Sequence, residues 1–190
     1  MFLIFFLSIF IANSVGQIPL YKKPNITSML NLNKSQMNKY ITGPWFEISR
    51  IPNAFEIDDK CSILTYELNE KLGSFNLSLD AVKSRTGIKH NSSVAAFPKK
   101  NGAFILRYLI VPPIYLGTYY ILDTDYTNYL VAAAVTSDSE RSFVFAWIKS
   151  RRQTISSEDY ESAVEALKTN NIPHDALKLV TQDCSTSPGQ

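Results

Sequence analysis

The chain has 190 residues, with 19 lysines and arginines against 17 aspartates and glutamates, for a formal net charge of +2. That length supports one domain with a sizeable core. The basic residues are scattered, and the pairs Lys99–Lys100 and Arg151–Arg152 are too small to form a nucleic-acid-binding surface, so they are read as solvated surface.

Residues 1–16, MFLIFFLSIFIANSVG, carry an uncharged apolar run from Phe2 to Ala12. The run is too short to span a bilayer, which takes about 20 apolar residues. Ser14 and Gly16 supply small side chains at a cleavage site, so the segment reads as a signal peptide cut after Gly16. One departure is that no lysine or arginine precedes the apolar run. No second long apolar run follows, so no transmembrane segment is expected. Residues 17–190 read as a single domain, with a polar N-terminal arm over 17–39 and a C-terminal tail over 184–190.

Secretion decides how the cysteines are read. Cys61 and Cys184 are the two in the chain, and an oxidising compartment favours their one intramolecular pairing. Closing a loop that long stabilises by about 4–5 kcal/mol in the chain-entropy model, less any native strain. Four N-x-S/T sequons, at Asn25, Asn33, Asn76 and Asn91, fit the same extracellular compartment.

From Trp45 to Lys149 short β-type runs alternate with turn signals, among them Pro52–Asn53, Asn69 to Gly73, Thr86–Gly87, Pro98 to Gly102, Pro112–Pro113 and Ser137 to Glu140. In Phe75, Asn76, Leu77, Ser78, Leu79, Asp80 the apolar residues share one face, and Asn76 falls on the polar one. In Phe143 to Ile148 one face carries Phe143, Phe145 and Trp147, while the other carries smaller aliphatics. A strand apolar on both faces suits a barrel wall filled inside and covered outside. The period changes over 156–170. Tyr160, Val164 and Leu167 fall at helical spacing, Ser156 or Ser157 is available as a cap, and Asn170 to Pro173 ends the helix. A last short strand is expected around 176–181.

Three motifs then fall in order. Residues 40–52 read YITGPWFEISRIP, 124–130 read TDYTNYL, and 145–151 read FAWIKSR. Together they resemble the three motifs of the lipocalin family, with Gly43 and Trp45 in the first, Thr124, Asp125 and Tyr126 in the second, and Arg151 in the third. With the tail NNIPHDALKLVTQDC, the resemblance runs closest to the apolipoprotein D and insect bilin-binding members and covers the chain after residue 16. It implies an all-β fold: an eight-stranded antiparallel up-and-down barrel with a C-terminal α-helix packed outside. It also implies that Trp45 and Arg151 stack at the closed end in a structural role, by cation–π attraction and charge-assisted hydrogen bonds. Pro44 departs from the usual first motif. A second bridge, which relatives often make from the arm to the strand after the second motif, is missing, because that strand reads LVAAAV. The arm is therefore expected to be held by contacts alone.

The resemblance places Tyr66, Tyr119 and Trp147 at inward, ligand-contacting positions. Strand parity adds Phe75, Leu77, Leu79, Ile121, Phe143 and Phe145. Such a lining favours a sterol, fatty acid, retinoid or bilin, with the tyrosine hydroxyls orienting one polar end. The expected function is thus a secreted, extracellular carrier of a small hydrophobic ligand. Catalysis is not expected: His90 and His174 are far apart and read as surface residues, and no Cys–His, Ser–His or metal-ligand spacing stands out, nor does any mark for haem. No cofactor, metal or nucleic-acid partner is expected. The alternative is a salivary-type member that sequesters biogenic amines or inhibits a partner protein. An amine binder would want acidic groups in the cavity, and the inward positions named above are aromatic or aliphatic.

Overall fold

The structure, a computed structural model, describes residues 18–20, 24, 26–109, 112–137 and 141–184. The expected signal peptide, the Asn25 sequon and the tail beyond Cys184 lie outside the described residues. In chain order the elements are β1 (Ile18–Leu20), α1 (Lys34–Tyr40), β2 (Gly43–Arg50), β3 (Asp59–Asn69), β4 (Ser74–Lys83), β5 (Lys89–Pro98), β6 (Phe104–Tyr108), β7 (Ile114–Thr124), β8 (Tyr129–Ser137), β9 (Ser142–Ser150), α2 (Ser157–Thr169), a 3₁₀ turn (His174–Ala176) and β10 (Lys178–Leu179).

Each of β2 to β8 pairs antiparallel with the next, and β9 pairs back onto β2, so eight strands close an up-and-down barrel. The short β1 runs beside β9, and β10 beside β2. The expected terminal strand over 176–181 is reduced to β10, because residues 174–176 turn as 3₁₀ helix first.

Alternation divides the apolar side chains into two cores. The inner one fills the barrel with Trp45, Tyr66, Phe75, Leu77, Phe104, Tyr119, Ile121 and Phe145. The outer one lies beneath α2, where Val131, Ala133, Val144, Ala146 and Ile148 meet Ala163 and Leu167 of the helix. The alanines of β8 therefore serve two surfaces. Ala133 lets α2 approach, while Ala132 and Ala134 face inward opposite Trp147 and Phe145 of β9. Ser156 caps α2 by accepting from the Asp159 N–H at 3.0 Å, which leaves Ser157 as the first helical residue. The Cys61–Cys184 disulfide joins the start of β3 to the C-terminal segment.

The arm is more ordered than its polarity suggests. Its last part is helix α1, begun by a capping box in which Asn33 accepts from the Gln36 N–H and Gln36 accepts from the Asn33 N–H. Asn33, read from the sequence as a sequon, is thus the helix N-cap. Residues ahead of α1 are also held by more than loose contact. The buried Asn170 side chain accepts the N–H groups of Thr27 and Ser28 and donates to the Ser28 carbonyl, and the Leu30 N–H donates to the Ile121 carbonyl at 2.9 Å.

Candidate functional site

At one end the barrel is sealed. α1 presses Met37 and Ile41 into the inner core, and the Trp45 indole donates to the Ile41 carbonyl at 2.7 Å. The Arg151 guanidinium lies 3.7 Å from the centroid of the Trp45 ring. It donates to the carbonyls of Pro44 at 2.9 Å and of Tyr40 and Thr42 at 3.0 Å. It thereby satisfies carbonyls left over where α1 ends. Gly43 must be glycine twice over: its φ is +94°, and an added Cβ would come within 3.3 Å of the Arg151 Nη1. Beside it the Asp125 carboxylate accepts the N–H groups of Thr127, Asn128 and Tyr129 at 3.0, 2.7 and 3.1 Å. Partial burial acts to raise this carboxyl, but the backbone donors outweigh it and hold it at about 2. Tyr126 packs on Tyr40 with ring centroids 5.0 Å apart.

Above that seal, all nine predicted lining residues are buried or half-buried. Tyr66 and Tyr119 touch hydroxyl to hydroxyl across the barrel, and burial is the main cause lifting both phenols above their ordinary range. Phe145 stacks on Trp147 at 6.3 Å, and Trp147 also meets Tyr119 at 6.2 Å. Phe143 and Trp147 are only half-buried. The space between Met37, Tyr66, Phe75, Leu77, Ala96, Phe104 and Tyr119 does not admit a water molecule. A cavity of about 170 Å³ opens at the other end, beside Arg50, Asn53, Glu56 and Lys178. Ligand pockets typically measure about 300–1,000 Å³, so a drug-sized guest has to displace side chains or the segment between β2 and β3.

The interior is not uniformly apolar, and this was missed in the sequence. Glu47, Arg50, Glu56 and Lys149 are all buried. Arg50 donates to the Glu47 carboxylate at 2.8 Å, to Ser62 Oγ at 3.1 Å, and to the carbonyls of Glu56 and Asp59 at 2.9 and 2.7 Å. The Glu56 carboxylate accepts the Trp147 indole N–H at 3.0 and 3.2 Å and also the Asn53 amide. The Lys149 ammonium sits over the Trp147 ring at 4.8 Å. Burial, reinforced by the charge of Glu56, pushes the Glu47 carboxyl up to about 7, and burial draws Lys149 down to about 8. Two of these residues had a signal. Glu47 lies two positions from Trp45, and Lys149 two from Trp147, so parity puts each on the inner face. Arg50 had none: an irregularity between Glu47 and Ser49 shifts the phase of β2 and turns Ser49 outward to Tyr160.

The open end is apolar at its rim. Phe55 and Ile57 between β2 and β3, Ile88 between β4 and β5, and Leu109, Ile114 and Tyr115 around the turn from β6 to β7 are all exposed. His90, read as a surface residue, is instead partly buried in β5, where its Nε2 lies 2.9 Å from the buried Asp59 carboxylate, which also pairs with Lys83. Among the sequons, Asn76 lies half-buried on β4 and Asn91 is exposed on β5.

Comparison with known proteins places this geometry. The model of the lipocalin-like domain matches residues 36–182. Insecticyanin-A of Manduca sexta is 25% identical over 152 residues, covering 78% of this chain and 80% of that protein. Apolipoprotein D of Cavia porcellus is 28% identical over 151 residues, covering 77% and 76%. Among solved structures, insecticyanin from the tobacco hornworm superposes with a TM-score of 0.70 at 20% identity, covering 90% of this chain and 91% of that one. Lobster apocrustacyanin A1 superposes at 0.66 and 19% identity, covering 88% and 94%. No helix among the described residues is long and apolar enough to cross a membrane.

Proposed function

The chain belongs to the lipocalin family of small-hydrophobic-ligand carriers, and from that premise we propose that it is a secreted, extracellular carrier of one sterol, fatty acid, retinoid or bilin held within the barrel. It is a binding protein and not an enzyme. The observation that carries the ligand class is the inner face of β9. Phe143, Phe145 and Trp147 line it, the last two stacked, and the paired β8 residues Ala132 and Ala134 leave the neighbouring wall low. Aromatic planes beside small side chains suit flat or extended apolar molecules. The exposed apolar rim gives such a molecule a path from water into the barrel. The function we assign to Trp45 and Arg151 is to keep the other end shut.

Amine capture gains two candidates, the carboxylates of Glu47 and Glu56. Both already hold donors, and Arg50 and Lys149 match their charge. An amine would therefore meet a site with no net negative charge, which favours the carrier reading. The test is to express the protein in a secretory host, extract it with organic solvent and identify the released molecules by mass spectrometry. An apolar molecule of one of these classes, recovered in stoichiometric amount from protein beginning at Gln17, is the expected result. Recovery of an amine, or an intact N-terminus on protein kept in the cell, would overturn the proposal.

A further inference from the structure

Four charged side chains share the polar patch inside the barrel, and three of them take part in hydrogen bonds. Arg50 spends its guanidinium on Glu47, Ser62 and two backbone carbonyls. Glu47 holds Arg50, and Glu56 holds Trp147 and Asn53. Lys149 differs. The residue is only 1% exposed, and it projects from the inner face of β9 beside Trp147. Among the described residues no acceptor is hydrogen-bonded to its ammonium, and no carboxylate oxygen lies within 4.0 Å of it. A ring face 4.8 Å away does not replace the acceptors that three N–H donors require. Glu47, the cross-strand neighbour of Lys149, and Glu56 favour its charge from beyond ion-pairing distance, and the ammonium keeps a sliver of accessible surface, so its N–H donors are open to an arriving acceptor.

Building on the carrier reading above, we propose that Lys149 anchors the carboxylate of the bound molecule. The barrel then selects amphipathic carboxylic acids over neutral or cationic molecules of the same shape. The rest of β9 fits this. From Lys149 towards the mouth the inward positions are Trp147, Phe145 and Phe143, an aromatic rail that ends about 20 Å from Lys149 at the rise of an extended strand. A molecule with an acid at one end and an apolar body lies along that rail with its oxygens at the ammonium. The charge also balances. Arg50 and Lys149 now face Glu47 and Glu56, and an arriving anion takes over the charge of Glu47, which accepts a proton. Burial already holds the Glu47 carboxyl at about 7, so that uptake costs little at neutral pH. A cationic head finds both carboxylates already holding donors and two cations beside them.

The test uses the full chain and matched probes, titrated by tryptophan fluorescence: palmitate, methyl palmitate and hexadecylamine, with retinoate and retinol as a second pair. Palmitate should bind about tenfold or more tightly than its methyl ester, in keeping with a charge-assisted bond in a dry site, and the amine most weakly. Retinoate should likewise exceed retinol if the carboxylate rather than the acyl chain is recognised. Lys149→Met should bring palmitate down to the affinity of the ester while leaving the ester within about twofold, and Lys149→Arg should keep the preference. Near-UV circular dichroism checks that each variant is folded; if Lys149→Met is not, the wild-type order of head groups and Lys149→Arg decide. Equal affinity of acid and ester for the wild-type protein overturns the anchor and leaves the carrier reading standing, as does an unchanged preference in Lys149→Met. Failure of all five probes to bind overturns the anchor, and the carrier reading falls with it only if sterols and bilins fail to bind as well.

Discussion

Replacing Arg151 with alanine tests the closed end. The substitution removes three hydrogen bonds from a cationic donor to the carbonyls of Tyr40, Thr42 and Pro44, and it strips the guanidinium from the Trp45 ring. A net hydrogen bond contributes about 0.5–1.5 kcal/mol and an exposed cation–π contact about 0.5–1. Arg151 is half-buried, so solvent discounts the charged part, and the sum comes to about 2–4 kcal/mol. For a domain of this size that corresponds to a fall in Tm of roughly 6–12 °C. Urea and thermal melts followed by near-UV circular dichroism measure it, with palmitate affinity measured on the folded variant. Arg151→Lys should fall between wild type and Arg151→Ala, because a single ammonium cannot serve three carbonyls and cover the ring at once. A loss below about 0.5 kcal/mol, the size of an ordinary surface change, would refute the structural role. A large loss of affinity at unchanged stability would show instead that Arg151 belongs to the ligand site.

Three further outcomes follow from particular contacts. Serine at both Cys61 and Cys184 should lower unfolding free energy by about 4–5 kcal/mol at most, because the bridge closes a loop spanning 123 positions; an unchanged urea midpoint contradicts this. Asn170→Ala should free residues 26–30, since it removes both acceptor bonds from Thr27 and Ser28, and limited proteolysis should then cut ahead of α1 in the variant but not in wild type; equal resistance would contradict the tether. Glu47 is raised from 4.5 to about 7, so between those values the folded state binds more protons than the unfolded one. Its contribution to stability is therefore full below about 4.5 and declines as pH rises to about 7. Glu47→Gln should flatten the stability profile in that window, and superimposable slopes for variant and wild type would contradict the assignment.

The barrel was legible because its signals are local and agree with one another. Alternation in Phe75 to Asp80, the aromatic face of Phe143 to Trp147 and the helical spacing of Tyr160, Val164 and Leu167 each lie within a single element. The three motifs, whose residues meet at the closed end, fixed how those elements join. The helix in the arm was within reach, since Asn33 and Gln36 form the capping pattern and Met37 and Ile41 follow at helical spacing. It was hidden by reading Asn33 only as a sequon. The polar patch was harder. Glu47 and Lys149 sit on inward parity, yet a buried charge is unexpected until its partners are known, and those partners are far apart in sequence. Arg50 reaches them only through the irregularity in β2, and Glu56 only because Asn53 folds its loop by accepting the Phe55 and Glu56 N–H groups. Neither a shift of phase nor a loop path is written in hydrophobic periodicity.

The bound apolar molecule is expected to lie against β9. Trp147 sits on that strand and Trp45 under the closed end, and they are the two tryptophans of the chain. The most direct measurement is a fluorescence titration of wild type and Trp147→Phe with sterols, fatty acids, retinoids and bilins, run beside biogenic amines. At least one apolar ligand should bind the wild-type protein with a Kd below about 100 μM, within the free energy that burial of apolar area supplies, and its fluorescence response should vanish in Trp147→Phe. Binding of amines far more tightly than any apolar ligand would rule out the carrier role, and a response retained in full without Trp147 would place the ligand away from β9.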